Sequence, residues 1–404
     1  MHCGRPGAGE GLLESPDRMP ASSEPSRTLR GATWALRAQF FVAGALFATW
    51  GVHVPSIKAH YALGEQSLAI AMLASGAGSV VALLQAGRLL ARHSPRTVLP
   101  LLAMLCVAAV GSLLLPSRYG LLLALMLVYG IAAALFDVAI NDEATAIERD
   151  SGRPLMSGFH GMFSLGGMVG AANWSLLAPL GMAPAVHLVG ASAALGVLAL
   201  VASRFMLRQA RDRHGAAAPL SLPSGPLVLL GVMAALGLVG EGAMYDWSVL
   251  YLRQELDAAA AVASLGYASF SGAMAAGRFG GDWVRARVRP AALLRASGLL
   301  GAVGMALALA VPHPAAALAG FGLVGLGFAN IVPVLFSAAG QVPGIAPAHG
   351  IAAVASVGYF GMMAGPPLIG FIAEGRSLAA GLLVVIVFAV VVAAFARRAL
   401  GAVG

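Results

Sequence analysis

Twelve apolar windows, each about 20 residues long, constrain this chain more than any other feature of its sequence. A window of that length lets a helix cross the hydrocarbon core of a bilayer, which is about 30 Å thick. The windows begin near Trp34, Ser67, Thr97, Leu121, Phe159 and Ala185, and again near Leu227, Ala258, Ala291, Ala315, Ala348 and Ala379. We therefore predict an all-α membrane protein with twelve transmembrane helices, named spans one to twelve in chain order.

The composition agrees with a membrane protein and excludes several other classes. Hydrophobic residues make up 59% of the chain and charged residues 10%, whereas soluble domains carry about 25% charged residues. The net charge of +8 comes from scattered basic residues, which form no stripe for nucleic acid. Cys3 and Cys106 lie in incompatible surroundings, which argues against a disulfide or a thiolate metal site. Because no nucleophile is paired with a base, we predict no enzyme activity, metal or cofactor.

Positive charge is distributed unevenly between the two sides of the predicted bundle. Lys and Arg lie mostly on the side of the chain termini, which the positive-inside rule makes cytoplasmic. We expect an integral protein of the bacterial inner membrane with both termini in the cytoplasm. Its predicted parts are a disordered tail over 1–30, six-helix bundles over 31–205 and 227–398, a cytoplasmic linker over 206–226 and a C-terminal tail over 399–404. Whether Met1 or Met19 is the true start stays open.

The two halves of the sequence repeat each other. At a displacement of 192 residues, Tyr129-Gly130 superposes on Phe321-Gly322. Two parallel six-helix repeats can rock about a solute site held between them near the bilayer midplane. The acids break this symmetry, because Asp137 falls opposite Ala329 and Glu241 also lacks an acidic counterpart. The halves are therefore expected to share a scaffold but not a chemistry.

Span four carries a carboxyl group and an amide on one helix face. Asp137 and Asn141 are four residues apart, and ionisable groups at membrane depth are normally functional or paired. We interpret Asp137 as a proton-coupling group beside the substrate ligand Asn141; the alternative is a structural hydrogen bond between helices. His160, about one turn into span five, is expected near the depth of Asn141. It forms either a proton relay with Asp137 or a neutral packing contact.

Further polar and aromatic candidates lie in spans one, seven and ten. We predict that Glu241 takes part in proton coupling and, with Asn330, binds the solute in a central cavity. The alternative for Glu241 is a buried, protonated acid bonded to a neighbour. Asp246 is either a gate residue or a helix-end partner for a nearby cation. Trp50 and Trp247 are candidates for stacking on a ring-shaped solute, although aromatic belts at the membrane interface produce the same pattern.

The loops after spans two and eight resemble the cytoplasmic loop signature of the major facilitator superfamily. The first reads Gly87-Arg88-Leu89-Leu90-Ala91-Arg92, and the second reads Gly281-Asp282-Trp283-Val284-Arg285-Ala286-Arg287. The resemblance implies the fold of that superfamily and a gating role for these loops. The residues expected to contribute to gating are Arg88, Arg92, Asp282 and Arg287.

Several motifs also resemble the YbjJ-like branch of that superfamily, near the fucose permease group. They are Asp137 to Asn141, Ser157-Gly158-Phe159-His160, Glu241-Gly242-Ala243-Met244, Asn330 with Pro333, and Gly365-Pro366-Pro367. In fucose permeases an acid followed four places later by asparagine matches Asp137 and Asn141. The resemblance implies that Asp137 is coupled to protons.

These features predict a secondary transporter that moves a small, polar, sugar-like solute by alternating access with proton coupling. We expect a monomer whose partners are the solute, protons and the lipid bilayer. Within the same class, the alternative is an efflux pump for amphipathic compounds or drugs. A membrane receptor or scaffold without transport is the alternative from another class. Unpaired carboxylates inside the membrane disfavour it, because an anchor gains nothing from them.

Overall fold

The computed structural model describes residues 1–2, 27–153, 155–206 and 224–401, and the regular structure in this part is helical. Twelve long segments form spans one to twelve, which confirms the predicted all-α fold. Their bounds are Arg27–Val52, Glu65–Arg92, Pro95–Gly111, Tyr119–Ser151, Met156–Leu177, Pro184–Ser203, Pro226–Gln254, Ala260–Phe279, Pro290–Ala310, Pro314–Phe328 continued by Ile331–Ala339, Pro347–Gly375 and Leu378–Gly401. Short helices Val54–His60 and Gly281–Arg285 follow spans one and eight, and the 3-10 turn Ala178–Leu180 follows span five.

Proline determines where half of the spans begin. Proline has no backbone N–H, and its fixed φ already suits a helix, so the first helical position tolerates it best. These helix starts agree closely with the starts of the predicted apolar windows. The spans that begin with proline start at Pro95, Pro184, Pro226, Pro290, Pro314 and Pro347.

Most spans have the length and composition of a membrane helix. In the part of the chain that the structure describes, nine helices are long and apolar enough to cross a membrane. Span three is apolar but has 17 residues. Spans five and eight are richer in small and polar residues, because they pack against each other between the two halves. The chain is an integral membrane protein.

The two halves pack their six spans in the same pattern. Span one packs against spans five and six, span two against span four, and span three against spans four and six. The second half repeats these pairs six spans later: seven with eleven and twelve, eight with ten, and nine with ten and twelve. The predicted repeat is therefore confirmed in the helix packing. The halves meet mainly where span five packs on span eight and span two on span eleven.

Glycine allows the closest helix approaches. A Cβ atom on Gly130 in span four would lie 1.9 Å from the carbonyl oxygen of Ser75 in span two. A Cβ on Gly44 in span one would lie 1.9 Å from the carbonyl oxygen of Phe163 in span five. Lipid is as apolar as the helices, so helix association in a membrane depends on such close packing. Gly120, also in span four, has no such neighbour within 4 Å.

Gly130→Ala is expected to destabilise the protein by about 1–3 kcal/mol, because the added methyl group overlaps the backbone of span two. Gly120→Ala adds the same methyl group to the same helix and is expected to stay within about 0.5 kcal/mol of the parent. Thermal unfolding of both variants in detergent measures the difference. Equal unfolding temperatures for the two variants would contradict the packing role of Gly130.

Two predicted boundaries need correction. Span one begins at Arg27, so the end of the predicted tail 1–30 is helical, and span twelve continues to Gly401 beyond the predicted limit at 398. Hydropathy detects only the part of a helix that lies in lipid, whereas backbone hydrogen bonds continue the helix into water. Most of the predicted tail (3–26), most of the predicted linker (207–223) and residues 402–404 lie outside the described residues.

Candidate functional site between the two halves

Spans five and eight form a seam along the full thickness of the bundle. The side of the bundle where span one begins and span twelve ends is called the termini side. The opposite side is called the far side. On the far side, the Ser175 hydroxyl of span five donates to the carbonyl oxygen of Ala261 at 2.7 Å. On the termini side, Gly161 of span five lies against the ring of Phe279. The two halves are therefore in contact from one side to the other along this seam.

Spans two and eleven meet on the far side. A Cβ on Gly370 would lie 2.4 Å from the Cβ of Ala69, and the backbone N–H of Gln66 donates to the Glu374 carboxylate at 3.0 Å. Nearer the termini side, Leu84 of span two and Phe360 of span eleven are 62% and 61% exposed. The contacts between spans two and eleven therefore lie towards the far side, whereas Leu84 and Phe360 are left uncovered by other parts of the protein.

A buried ion pair joins spans seven and eight at the seam. The Arg278 Nη2 donates to Glu241 Oε1 at 2.9 Å, and the Tyr245 hydroxyl donates to the same oxygen at 3.3 Å. The Arg278 Nη1 donates to the Ser164 hydroxyl of span five at 2.8 Å. The Arg278 and Glu241 side chains are only 12% and 10% exposed. Because Ser164 belongs to the first half, one guanidinium neutralises an acid of its own half and also binds the opposite half.

Among the side chains that the structure describes, none forms an ion pair with Asp137. The Asn141 side-chain amide donates to Asp137 Oδ1 at 3.1 Å and to the Asp137 carbonyl oxygen at 2.9 Å, so these two residues share one face as predicted. Asp137 is half-buried and lies within electrostatic range of Tyr359 on span eleven, which is 47% exposed. Spans four and eleven belong to different halves and do not pack as neighbouring helices. The carboxyl group therefore lies at the boundary between the halves, near Tyr359.

His160 lies with the ion pair rather than with Asp137. Its ring is edge-on to Phe40 with 5.4 Å between ring centroids, and it is within electrostatic range of the Arg278 guanidinium. Spans four and five make only marginal contact, because span five packs on spans one and eight. No hydrogen bond or ion pair between His160 and Asp137 is found among the described residues. The predicted relay is therefore not formed in this arrangement.

A polar network joins the halves on the termini side. The Arg285 guanidinium donates to the Ser157 hydroxyl at 2.9 Å, to Asn330 Oδ1 at 3.2 Å, and to the Asp282 carboxylate. The Ser157 hydroxyl donates to Asp282 Oδ1 at 3.2 Å. Ser157 starts span five in the first half, whereas the other three belong to the second half. Asp282 thus lies where a gate residue is expected.

Asn330 and Arg287 lie in different surroundings from those expected. Asn330 is 6% exposed at the break within span ten, and its amide oxygen accepts from Arg285 instead of facing an open cavity. Arg287 donates to the carbonyl oxygen of Trp283 at 3.0 Å and stacks over that ring at 4.3 Å, so it contacts its own loop. The side chains of the other two predicted gate residues, Arg88 and Arg92, lie outside what the structure describes.

The remaining candidates are buried on the far side. Asp246 is 9% exposed and its carboxylate lies within hydrogen-bonding reach of the Trp50 indole, which links span seven to span one. Trp50 and Trp247 are 2% and 0% exposed, and no described residue accepts a hydrogen bond from the Trp247 indole nitrogen. Neither ring is therefore accessible to a solute in this arrangement. Lys58 pairs with Glu65 instead of Asp246.

Sequence reasoning missed three residues that define the site. Arg278 stands among helix-packing glycines, yet its charge inside span eight is a signal of the same kind as Glu241 in span seven. Arg285, and not the predicted Arg287, contacts the opposite half, because it lies three residues after Asp282 and thus on the same helix face. Tyr359 carried no signal, since a tyrosine in an apolar helix is common. Its position follows only from the packing of the halves.

Comparison with known proteins agrees with this architecture. Over 363 residues, 89% of this chain, the chain is 36% identical to an uncharacterized MFS-type transporter of Yersinia pestis, covering 94% of it. The same share is 32% identical to membrane protein MosC of Rhizobium meliloti, covering 88% of it. The fold matches a D-xylose-proton symporter with a TM-score of 0.75 at 14% identity, covering 92% of this chain and 98% of that one.

A second solved structure, of the nucleoside transporter NupG, has a TM-score of 0.68 at 11% identity and covers 93% of this chain and 99% of that chain. At such identities the likeness concerns the fold alone. Residues 36–348 match the family model of the Major Facilitator Superfamily. With its duplicated twelve-span fold and this match, the chain belongs to the Major Facilitator Superfamily and is a membrane transporter, not an enzyme.

Proposed function

We propose that this transporter moves a small polar solute together with protons by alternating access, and that sugar-like compounds are the first class to test. The observation that carries the proposal is the position of Asp137. Its carboxyl group lies at the boundary between the halves, near Tyr359, and no cation within the described ranges forms an ion pair with it. A carboxyl group at membrane depth without a partner is costly. It therefore suits a site that gains and loses a proton in each transport cycle.

The roles of the other groups follow from their partners. Glu241 is neutralised by Arg278, so it joins the proton pathway only when that ion pair opens. Asn141, beside Asp137, is a candidate solute ligand. Positive charge on the termini side supports placing both termini in the cytoplasm of a bacterial inner membrane.

A ligand screen followed by transport measurements tests this function. Purified protein is first screened by thermal shift against sugars, polyols, amino acids and amphipathic drugs, because a ligand that binds the folded state raises the melting temperature. Uptake of the hits is then measured in proteoliposomes with and without a pH gradient. The proposal expects a sugar-like or other polar hit whose uptake increases when the outside is acidic. Hits confined to drugs, with export driven by the gradient, would favour the efflux alternative instead.

Arg285→Gln is expected to change the gate on the termini side, because it removes a charged donor from Ser157 in the opposite half. Hydrogen bonds to charged groups contribute about 1.5–3 kcal/mol, so the equilibrium between the two access states should shift by roughly tenfold to a hundredfold. Arg287→Gln removes the same charge from the same loop without touching the first half. Labelling rates of a cysteine introduced at Tyr359 report access from the termini side. Identical rates in both variants would refute the gate.

A further inference from the structure

A positively charged cavity lies on the termini side, away from the seam between the halves. Its volume is about 530 Å³, and it lies between the start of span nine and the end of span twelve. Three arginines line it: Arg289 and Arg295 of span nine, and Arg397 of span twelve. Its other described lining residues are alanines and Leu299, and no acid is among the residues described there.

The guanidinium groups of these three arginines are available to a ligand. Within the described ranges, none of them forms an ion pair or a side-chain hydrogen bond with another residue, and all three are exposed. An arginine guanidinium presents five donors in a planar fork that matches the oxygens of a phosphate. Three such groups line one cavity, and no described residue of that lining carries a negative charge that would balance theirs.

The backbone at this cavity also favours an anion. Span nine begins at Pro290, and no side chain caps its first turn. The amide groups of Ala291 and Ala292 belong to the first helical turn, whose N–H groups have no acceptor within the helix, and both residues line the cavity. The positive end of the helix dipole adds to this effect. Side chains and backbone thus point to the same kind of ligand.

The lipid-facing side of span nine distinguishes a lipid from a soluble phosphate. Arg295, Leu299 and Val303 are spaced four residues apart, so they follow one helix face from the cavity into the membrane. Leu299 and Val303 are 47% and 59% exposed. An acyl chain can lie along this apolar ridge while its headgroup stays among the arginines. A soluble phosphate gains nothing from the ridge.

We propose that the cavity between spans nine and twelve binds the phosphodiester headgroup of an anionic phospholipid in the leaflet on the termini side. The lipid is held by Arg289, Arg295 and Arg397 and by the free amide groups of the first turn of span nine. Basic pockets between membrane helices are suited to such headgroups. The site does not depend on the identity of the transported solute.

Native mass spectrometry of the purified protein in mild detergent tests the site. Cardiolipin and phosphatidylglycerol are titrated in parallel with phosphatidylcholine, against the parent protein and the variant Arg289→Gln/Arg295→Gln/Arg397→Gln. We expect both anionic lipids to bind the parent more tightly than phosphatidylcholine, and the triple variant to lose roughly a hundredfold in affinity for them. Arg398→Gln is the matched control, because it removes a charge from the same helix end without lining the cavity, and it should bind like the parent.

Four results would overturn the proposal. In the first, the triple variant binds the anionic lipids as tightly as the parent does. In the second, phosphatidylcholine binds the parent as tightly as the anionic lipids do. In the third, Arg398→Gln weakens binding as much as the triple variant. Glycerol 3-phosphate is added as a soluble competitor that carries the phosphate without acyl chains. Displacement of the lipid at equal concentration would show a soluble phosphate site, and it would overturn the assignment to lipid.

Discussion

Replacing Asp137 by asparagine is expected to abolish accumulation of solute driven by a pH gradient, while exchange of solute across the membrane continues. One pH unit corresponds to about 1.4 kcal/mol per proton, so coupling to one proton supports about tenfold accumulation. Without a group that binds the proton, the accumulation ratio falls to one. Asparagine keeps the size of the side chain and its hydrogen bond to Asn141, so the fold and the solute site should persist.

Counterflow exchange and pH-driven uptake in proteoliposomes separate these effects. Asn141→Asp is the companion variant, because it places an acid one turn away on the same helix face. Loss of both activities in Asp137→Asn would show that Asp137 binds the solute or supports the structure. Unchanged pH-driven uptake would show that another group carries the proton, and Glu241 would then be the first to test.

Arg278→Gln is expected to be among the most destabilising single changes in the chain. It leaves the Glu241 carboxylate buried without its cation and also removes the donor to Ser164. Breaking a buried ion pair by removing one partner costs about 3–5 kcal/mol, mostly because the remaining charge is uncompensated. The double variant Glu241→Gln/Arg278→Gln removes both charges and should recover most of that stability.

Thermal unfolding of the two variants in detergent, at matched pH, measures this prediction. Ser164→Ala provides a control that removes only the contact with the opposite half and leaves the ion pair intact. It should be milder than Arg278→Gln. A double variant that is no more stable than Arg278→Gln would show that the guanidinium acts through its packing, independently of Glu241.

The fold could be predicted from the sequence because a bilayer imposes simple rules. The apolar windows begin within a few residues of the observed helices: the window near Leu227 corresponds to a helix from Pro226, and that near Ala291 to one from Pro290. The repeat was also visible, because packing glycines recur at the same displacement. Gly130 has its counterpart in Gly322, although the close approach to the backbone of span eight occurs three residues later, where a Cβ on Gly325 would lie 2.2 Å from the Phe270 carbonyl oxygen.

The pairing of side chains could not be predicted in the same way. Hydropathy gives the depth of a residue but not the direction in which it points from its helix axis. His160 and Asp137 were expected at similar depths, yet His160 lies beside Arg278 because span five packs on spans one and eight. The partner of Glu241 also required the structure, since Arg278 lies 37 residues further along the chain. Which side chains meet at the seam depends on how the helices of both halves pack against each other.

The most direct test of the account is the movement of protons that accompanies the solute. Proteoliposomes containing the transporter are placed in a weakly buffered medium, a solute identified by the screen is added, and the external pH is recorded. The account predicts alkalinisation of the medium with the parent protein and none with Asp137→Asn, although the variant still exchanges labelled solute. Solute entry into the parent proteoliposomes without any change in external pH would contradict proton coupling, and with it the role assigned to Asp137.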